Sequence, residues 1–182
     1  MKITVLGAGH IGGTMGRKWA AAGHEVVFGV RDVSSPRVAA LLEEIPGKVR
    51  AGNVADAVAF GDVVLVAIPY DAVAVIVATH ADKLAGKIII DATNKFGAPV
   101  VNNLETIRRA VPTARLFRAF NSLGWEIFAR PRFGEVQVDH FYCGPDDQDL
   151  PAVEQLIADV GVRPIWVGWS RPRWLTPWAR SG

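Results

Sequence analysis

Lys2-Ile3-Thr4-Val5-Leu6-Gly7-Ala8-Gly9-His10-Ile11-Gly12 decides the fold. The run up to Leu6 is apolar and reads as a buried strand. A Gly-x-Gly-x-x-Gly pattern follows without a break, at Gly7, Gly9 and Gly12. An amphipathic stretch from Ile11 to Ala22 then stops at Gly23, and Glu25-Val26-Val27-Phe28-Gly29 reads as a second strand. Strand, glycine loop, helix and strand within about thirty residues is the context of a dinucleotide-binding site. Gly7 permits the tight turn, Gly9 leaves the backbone open to a pyrophosphate, and Gly12 lets the helix close on the strand. Gly7, Ala8, Gly9, His10, Ile11 and Gly12 would then present N–H groups to phosphate at the positive end of the helix. The competing reading is an ordinary glycine-rich turn. His10 can hydrogen-bond a phosphate or approach the nicotinamide, or it is simply a solvent-facing loop residue.

Outward from that loop, half of the 182 residues are hydrophobic and the net charge is +2. This is enough for one good core. Residues 1–168 are expected to form one α/β domain, doubly wound about a mostly parallel sheet, a Rossmann-like fold. Residues 169–182 are expected to be an atypical Trp/Arg/Pro-rich tail, with three of the six Trp and two prolines that oppose a normal helix. It reads either as an exposed aromatic–basic arm or as a frayed end. No basic block marks a nucleic-acid partner. The apolar runs are too short to span a membrane, and no signal peptide is expected. Cys143 is the single cysteine, which excludes an internal disulfide and fits a reducing cytoplasm. It has no activating neighbour and reads as an inert buried thiol. The four His lack metal-ligand spacing, so no metal is expected.

The corner after the second strand bears on the cofactor. Gly29 and Val30 are not acidic, and Arg31 can pair with a 2′-phosphate and stack on adenine, which favours NADP(H). Asp32 lies within range of a ribose hydroxyl, or it starts the next turn. A helix is expected from Pro36 to about Glu44, and Trp19 is expected in the core. Asp62 to Ile68 reads as a central parallel strand, so Ile68 and Pro69 should border the cofactor's ribose. Tyr70 is either a ring wall for the nicotinamide or a surface aromatic. Asp71 reads as a helix cap. Asp91-Ala92-Thr93-Asn94-Lys95 ends the next strand at the same sheet edge. Its polar groups can meet a nicotinamide carboxamide, with Asn94 the favoured contact, or can satisfy one another. A helix is expected over 100–111, a more edge-like strand over 114–120, and a substrate-facing turn at Asn121 and Ser122. Trp125, Phe128 and Phe133 read as a small core or as a stacking surface for a planar ring. A strand over 137–144, a helix begun by Asp146, Asp147 and Asp149, and a strand over 163–168 complete the pattern.

Several of these segments together resemble the NADPH-dependent reductases of the deazaflavin coenzyme F-420 (F420), and the oxidoreductase domains of STEAP-type metalloreductases. They are the glycine loop, Gly29-Val30-Arg31, Ala67-Ile68-Pro69, Asp91-Ala92-Thr93-Asn94, Arg118-Ala119-Phe120-Asn121-Ser122-Leu123-Gly124 and Tyr142-Cys143-Gly144. The resemblance implies an oxidoreductase that moves a hydride between NADP(H) and a deazaflavin or a flavin such as FMN. It implies an acceptor over the nicotinamide, near Asn94, Asn121 and the Trp125 loop, and a homodimer. Where relatives carry Ser before the arginine, this chain has Val30. The alternative to an enzyme is an NADP(H)-binding sensor or structural subunit without turnover.

Overall fold

A computed structural model describes residues 1–45 and 47–169. The order of elements begins β1 (Lys2–Leu6), α1 (His10–Ala21), β2 (Glu25–Gly29), α2 (Pro36–Glu43), β3 (Val49–Gly52) and α3 (Val54–Phe60). It continues with β4 (Val63–Val66), a 3-10 turn (Tyr70–Ala72), α4 (Val73–Thr79), α5 (Ala81–Leu84), β5 (Ile88–Asp91), α6 (Leu104–Ala110) and β6 (Arg115–Arg118). Then come α7 (Trp125–Ala129), β7 (Arg132–Phe133), β8 (Val136–Gln137), β9 (Asp139–Tyr142), α8 (Leu150–Asp159) and β10 (Arg163–Trp166).

The central sheet is parallel throughout, in the order β3-β2-β1-β4-β5-β6. The chain reverses direction across the sheet between β1 and β4, the switch point at which Rossmann-like folds bind ligands beyond the strand ends. Side-chain alternation divides the core in two. Val63 and Leu65 of β4 point to one face with Met15, Trp19, Phe28 and Leu156. Val64 and Val66 point to the other with Val73, Val77, Leu104 and Ile107. Both faces are covered, which is why β4 reads as an unbroken apolar run. Trp19 is fully buried, as expected, and its indole N–H donates to the Leu156 carbonyl at 2.8 Å. Cys143 is buried, and burial pushes its thiol up to about 11, so it is inert at neutral pH.

Some boundaries differ from the expected ones. The helix expected over 100–111 starts only at Leu104, because Asp91 Oδ2 accepts the Asn103 N–H and Val101 accepts from Lys95 N. β6 stops at Arg118 rather than 120, since Phe120 turns into the left-handed region at φ 62°. Asp71 caps nothing; its carboxylate pairs with Lys95 at 2.5 Å, and Lys95 Nζ lies 5.2 Å from the Tyr70 ring centroid. Asp149 does not cap α8 through its side chain but pairs with Arg115 at 2.8 Å. The hairpin β7–β8 and the parallel pair β9–β10 form two further small sheets, and Gly134, at φ 58°, opens the two-residue turn of the hairpin. Of the expected tail, all but Trp169 lies outside the described residues.

Candidate functional site

The glycine loop leaves β1 at the switch point. Gly7 has φ 99°, and a Cβ there would lie 2.5 Å from the Ala67 carbonyl oxygen and 3.1 Å from Ile68 Cγ2. This close approach brings Ile68 against the loop, with Pro69 exposed beside it. A Cβ on Gly12 would collide with the Gly7 carbonyl oxygen. Gly9 is different: nothing lies within 4 Å of its added Cβ. α1 begins at His10 with no acidic residue in its first turn. Its first intrahelical bond runs from Gly13 N to the Gly9 carbonyl at 2.7 Å. The N–H groups of His10, Ile11 and Gly12 precede that bond, at the helix end next to Gly9. The loop is therefore shaped to receive pyrophosphate oxygens, and its residues fit the cofactor.

At the β2 corner, Asp32 Oδ1 accepts both the Ser34 N–H at 2.9 Å and its hydroxyl at 2.6 Å. Those bonds hold the carboxyl below its ordinary range and commit it to the turn. Val30 is buried in the core. Arg31 is exposed and makes no ion pair among the described residues. A groove of about 260 Å³ runs from Gly9 and His10 along α1 to Arg37 on α2, with Trp125 at its rim. The corner thus presents an exposed arginine and a carboxylate already engaged by Ser34, and Arg37 lines the groove beside α1.

At the ends of β5 and β6 lies a network that sequence reading did not foresee. Asp91 and Arg118 are register partners on adjacent parallel strands. They form a buried ion pair at 2.8 Å, with side chains 0% and 1% exposed. Asp91 also accepts from Thr93 N, Thr93 Oγ1 and Asn103 N. Arg118 donates further to the Thr93 carbonyl and to Asn94 Oδ1 at 2.7 Å. Burial lowers the Arg118 pKa, and Asp91 opposes that shift. Asn94 Nδ2 donates to the Asn121 carbonyl at 2.7 Å. The groups of this polar cluster satisfy one another, and Asn94 stays half-buried at its edge. Asn94 links Arg118 to the Asn121 turn.

That turn is built on Phe120, whose N–H is accepted by His140 Nε2 at 2.8 Å. It carries exposed Ser122 outward and delivers Trp125, which stacks on His10 with centroids 4.9 Å apart and 24° between planes. The three aromatics expected to cluster separate instead. Phe128 is buried against Phe120 and His140, Trp125 stands over the glycine loop, and Phe133 is exposed. His10 and Trp125 thus form a stacked pair over the glycine loop, and Asn94 and Asn121 a hydrogen-bonded pair at the end of β5. Asn121, expected to face substrate, is itself buried at 5% exposed, and Ser122 beside it is open to solvent.

His140 is fully buried, and desolvation pushes its pKa from 6.5 down to about 4. Between those values the unfolded chain binds a proton that the folded chain does not. Stability is therefore complete above pH 6.5 and declines as pH falls towards 4, by about 3 kcal/mol in total from this group. Melting temperatures from pH 7 to pH 4 should show this decline, and His140→Gln should remove that part of it. An identical pH slope in both proteins would contradict it.

Comparison with known proteins agrees with this geometry. The sequence model of the family described as "NADP oxidoreductase coenzyme F420-dependent" matches residues 2–95, from β1 through the Asp91–Asn94 cluster. The metalloreductase STEAP3 of Rattus norvegicus is 27% identical over 172 residues, 92% of this chain and 34% of that protein. The F420-dependent NADP reductase of Methanothermobacter thermautotrophicus is 36% identical over 99 residues, 51% of this chain and 43% of that one. The chain thus spans well under half the length of each of these curated relatives. A crystal structure from Arthrobacter sp. FB24, provisionally described as an F420-dependent NADP reductase, superposes with a TM-score of 0.77 at 28% identity. That superposition covers 92% of this chain and 84% of the other. Among the described residues no helix is long and apolar enough to cross a membrane, and no cluster of potential metal ligands occurs. The loop, the basic corner and the match from β1 onward place this chain in the family of coenzyme F420-dependent NADP oxidoreductases.

Proposed function

We propose that this protein binds NADP(H) across the glycine loop and transfers a hydride between its nicotinamide and a deazaflavin or flavin ring, F420 or FMN. The observation that carries the reading is the open face of Gly9 beside the unpaired start of α1. Gly7, Ala8, Gly9, His10, Ile11 and Gly12 hold the pyrophosphate, Arg31 reads the 2′-phosphate, and Ile68 and Pro69 border the ribose. Asn94 acts by fixing the Asn121 turn beside the nicotinamide. Ser122 and Trp125 face the acceptor, with the largely buried Asn121 at the base of the same turn, and the Trp125–His10 stack suits a planar partner. Hydride transfer requires close parallel rings and excluded water rather than a strong base. In the reducing direction the acceptor gains the hydride from NADPH and one proton from solvent, leaving NADP⁺. A free, buried thiol at Cys143 suits a cytoplasmic setting.

Stopped-flow oxidation of NADPH with F420 and with FMN tests the acceptor. Turnover with either supports the reading; tight NADPH binding without oxidation by either would favour a sensor. Arg31→Ala should weaken NADPH binding by about tenfold or more and NADH binding by less than about twofold. Equal losses for both cofactors would make Asp32 the reader.

A further inference from the structure

Behind the Asn121 turn lies a buried imidazole that the hydride-transfer reading does not use. His140 sits on β9, away from the sheet edge where the cofactor is proposed to bind. Its ring stacks on Phe120 at 5.2 Å, 10° from parallel, and meets Phe128 edge-on at the same distance. Its Nε2 accepts the Phe120 N–H at 2.8 Å. Phe120, at φ 62°, is the one non-glycine residue with positive φ among the described residues. Such a backbone is disfavoured for a bulky side chain and persists only where its surroundings impose it. Here a single ring meets it twice, by accepting the N–H and by packing flat on the side chain. One residue on, the Asn121 carbonyl accepts from Asn94. The kink is thus gripped from the core on one side and from the cofactor edge on the other.

We propose that His140 is a positioning residue for the acceptor site, holding Phe120 in its left-handed kink and so aiming Asn121, Ser122 and Trp125. The inference rests on the acceptor binding at that turn. Burial supports it by keeping the imidazole neutral, so the Nε2 lone pair persists at neutral pH. The bond assigns the proton to Nδ1, which has no hydrogen-bond partner among the described residues. A histidine kept for packing alone would need neither this tautomer nor this partner.

The test compares wild type, His140→Leu, His140→Gln and His140→Asn, measuring NADPH Kd by titration and KM for F420 and for FMN. Gln places an amide oxygen near the Nε2 position; Asn is too short to do so. Leu and Asn should raise the acceptor KM about tenfold, the size of one lost hydrogen bond. NADPH Kd should stay within about twofold, and Gln should restore KM to within about threefold of wild type. An unchanged acceptor KM in Leu or Asn, or KM and NADPH Kd rising together, would overturn the proposal. Should Leu fail to fold, the contrast between Gln and Asn decides. Nitrogen NMR of the wild-type imidazole is independent of any activity. Protonation at Nε2 would overturn the proposal, while absent NADPH binding in wild type would instead defeat the cofactor reading.

Discussion

Arg118→Met should destabilise the fold by roughly 3–5 kcal/mol, the cost of stranding a buried charge. Arg118 is 1% exposed, and its partner Asp91 is fully buried. Removal of the guanidinium leaves the carboxylate in the interior with only Thr93 and Asn103 as donors. Asn94 loses the bond to its Oδ1 at the same time, so the link to the Asn121 turn loosens. Asp91→Asn should fall in the same range, because it strands the guanidinium. The double variant should cost clearly less than the sum, since each single change already removes the pair. Arg118→Lys keeps the charge but not the fork that reaches Asp91, the Thr93 carbonyl and Asn94 together, so it should lie between wild type and Met. Urea midpoints at pH 7 give these differences. A loss below about 1 kcal/mol for Arg118→Met would mean that water or a rearranged side chain compensates Asp91, and that the pair does not organise this edge.

This pair also shows where sequence reading reached its limit. The alternation of Val63, Val64, Leu65 and Val66 between two cores follows directly from a parallel strand covered on both faces. The glycine loop was equally legible, because each glycine answers to a backbone requirement set by its own neighbours. Asp32 as a turn starter was one of two open readings, and Ser34 two residues on was the local signal for it. Asp91 and Arg118 were each visible, but their partnership depends on the β5–β6 register, which no local pattern encodes. Opposite charges at the last positions of two apolar strands were the available hint. Phe120 was still less legible, since its N–H is accepted by His140, twenty residues away in sequence. Trp125, Phe128 and Phe133 lie on a five-residue helix and the hairpin after it, too short for a periodicity to separate them. Only the Asn121 turn and the packing of α7 on α1 decide that one ring joins the core while another covers the loop.

Gly9→Ala and Gly12→Ala, three residues apart, should fail in different ways. A Cβ on Gly12 would strike the Gly7 carbonyl oxygen and approach Val5 Cγ1 at 3.1 Å. Neither is a flexible chain end, so α1 must back away from β1. Overpacking of this kind costs about 1–3 kcal/mol of stability. It also moves the N–H groups of the first turn away from the phosphates, and each charge-assisted bond lost there is worth about 1.5–3 kcal/mol. NADPH Kd should rise by at least about a hundredfold, equivalent to roughly 2.8 kcal/mol. Gly9 has φ −77° and ψ −168°, a backbone that alanine adopts without strain, and its added Cβ meets nothing within 4 Å. Gly9→Ala should therefore melt at or slightly above the wild-type temperature, since alanine reduces the entropy of the unfolded chain. Its Cβ nevertheless occupies the space through which the pyrophosphate reaches the backbone, so NADPH binding should also fall by about a hundredfold or more. Calorimetric titration with NADPH alongside thermal melts separates the two. A Gly9→Ala protein that binds NADPH as wild type does would mean that the dinucleotide does not cross the loop at Gly9, and the proposed cofactor site would have to be redrawn.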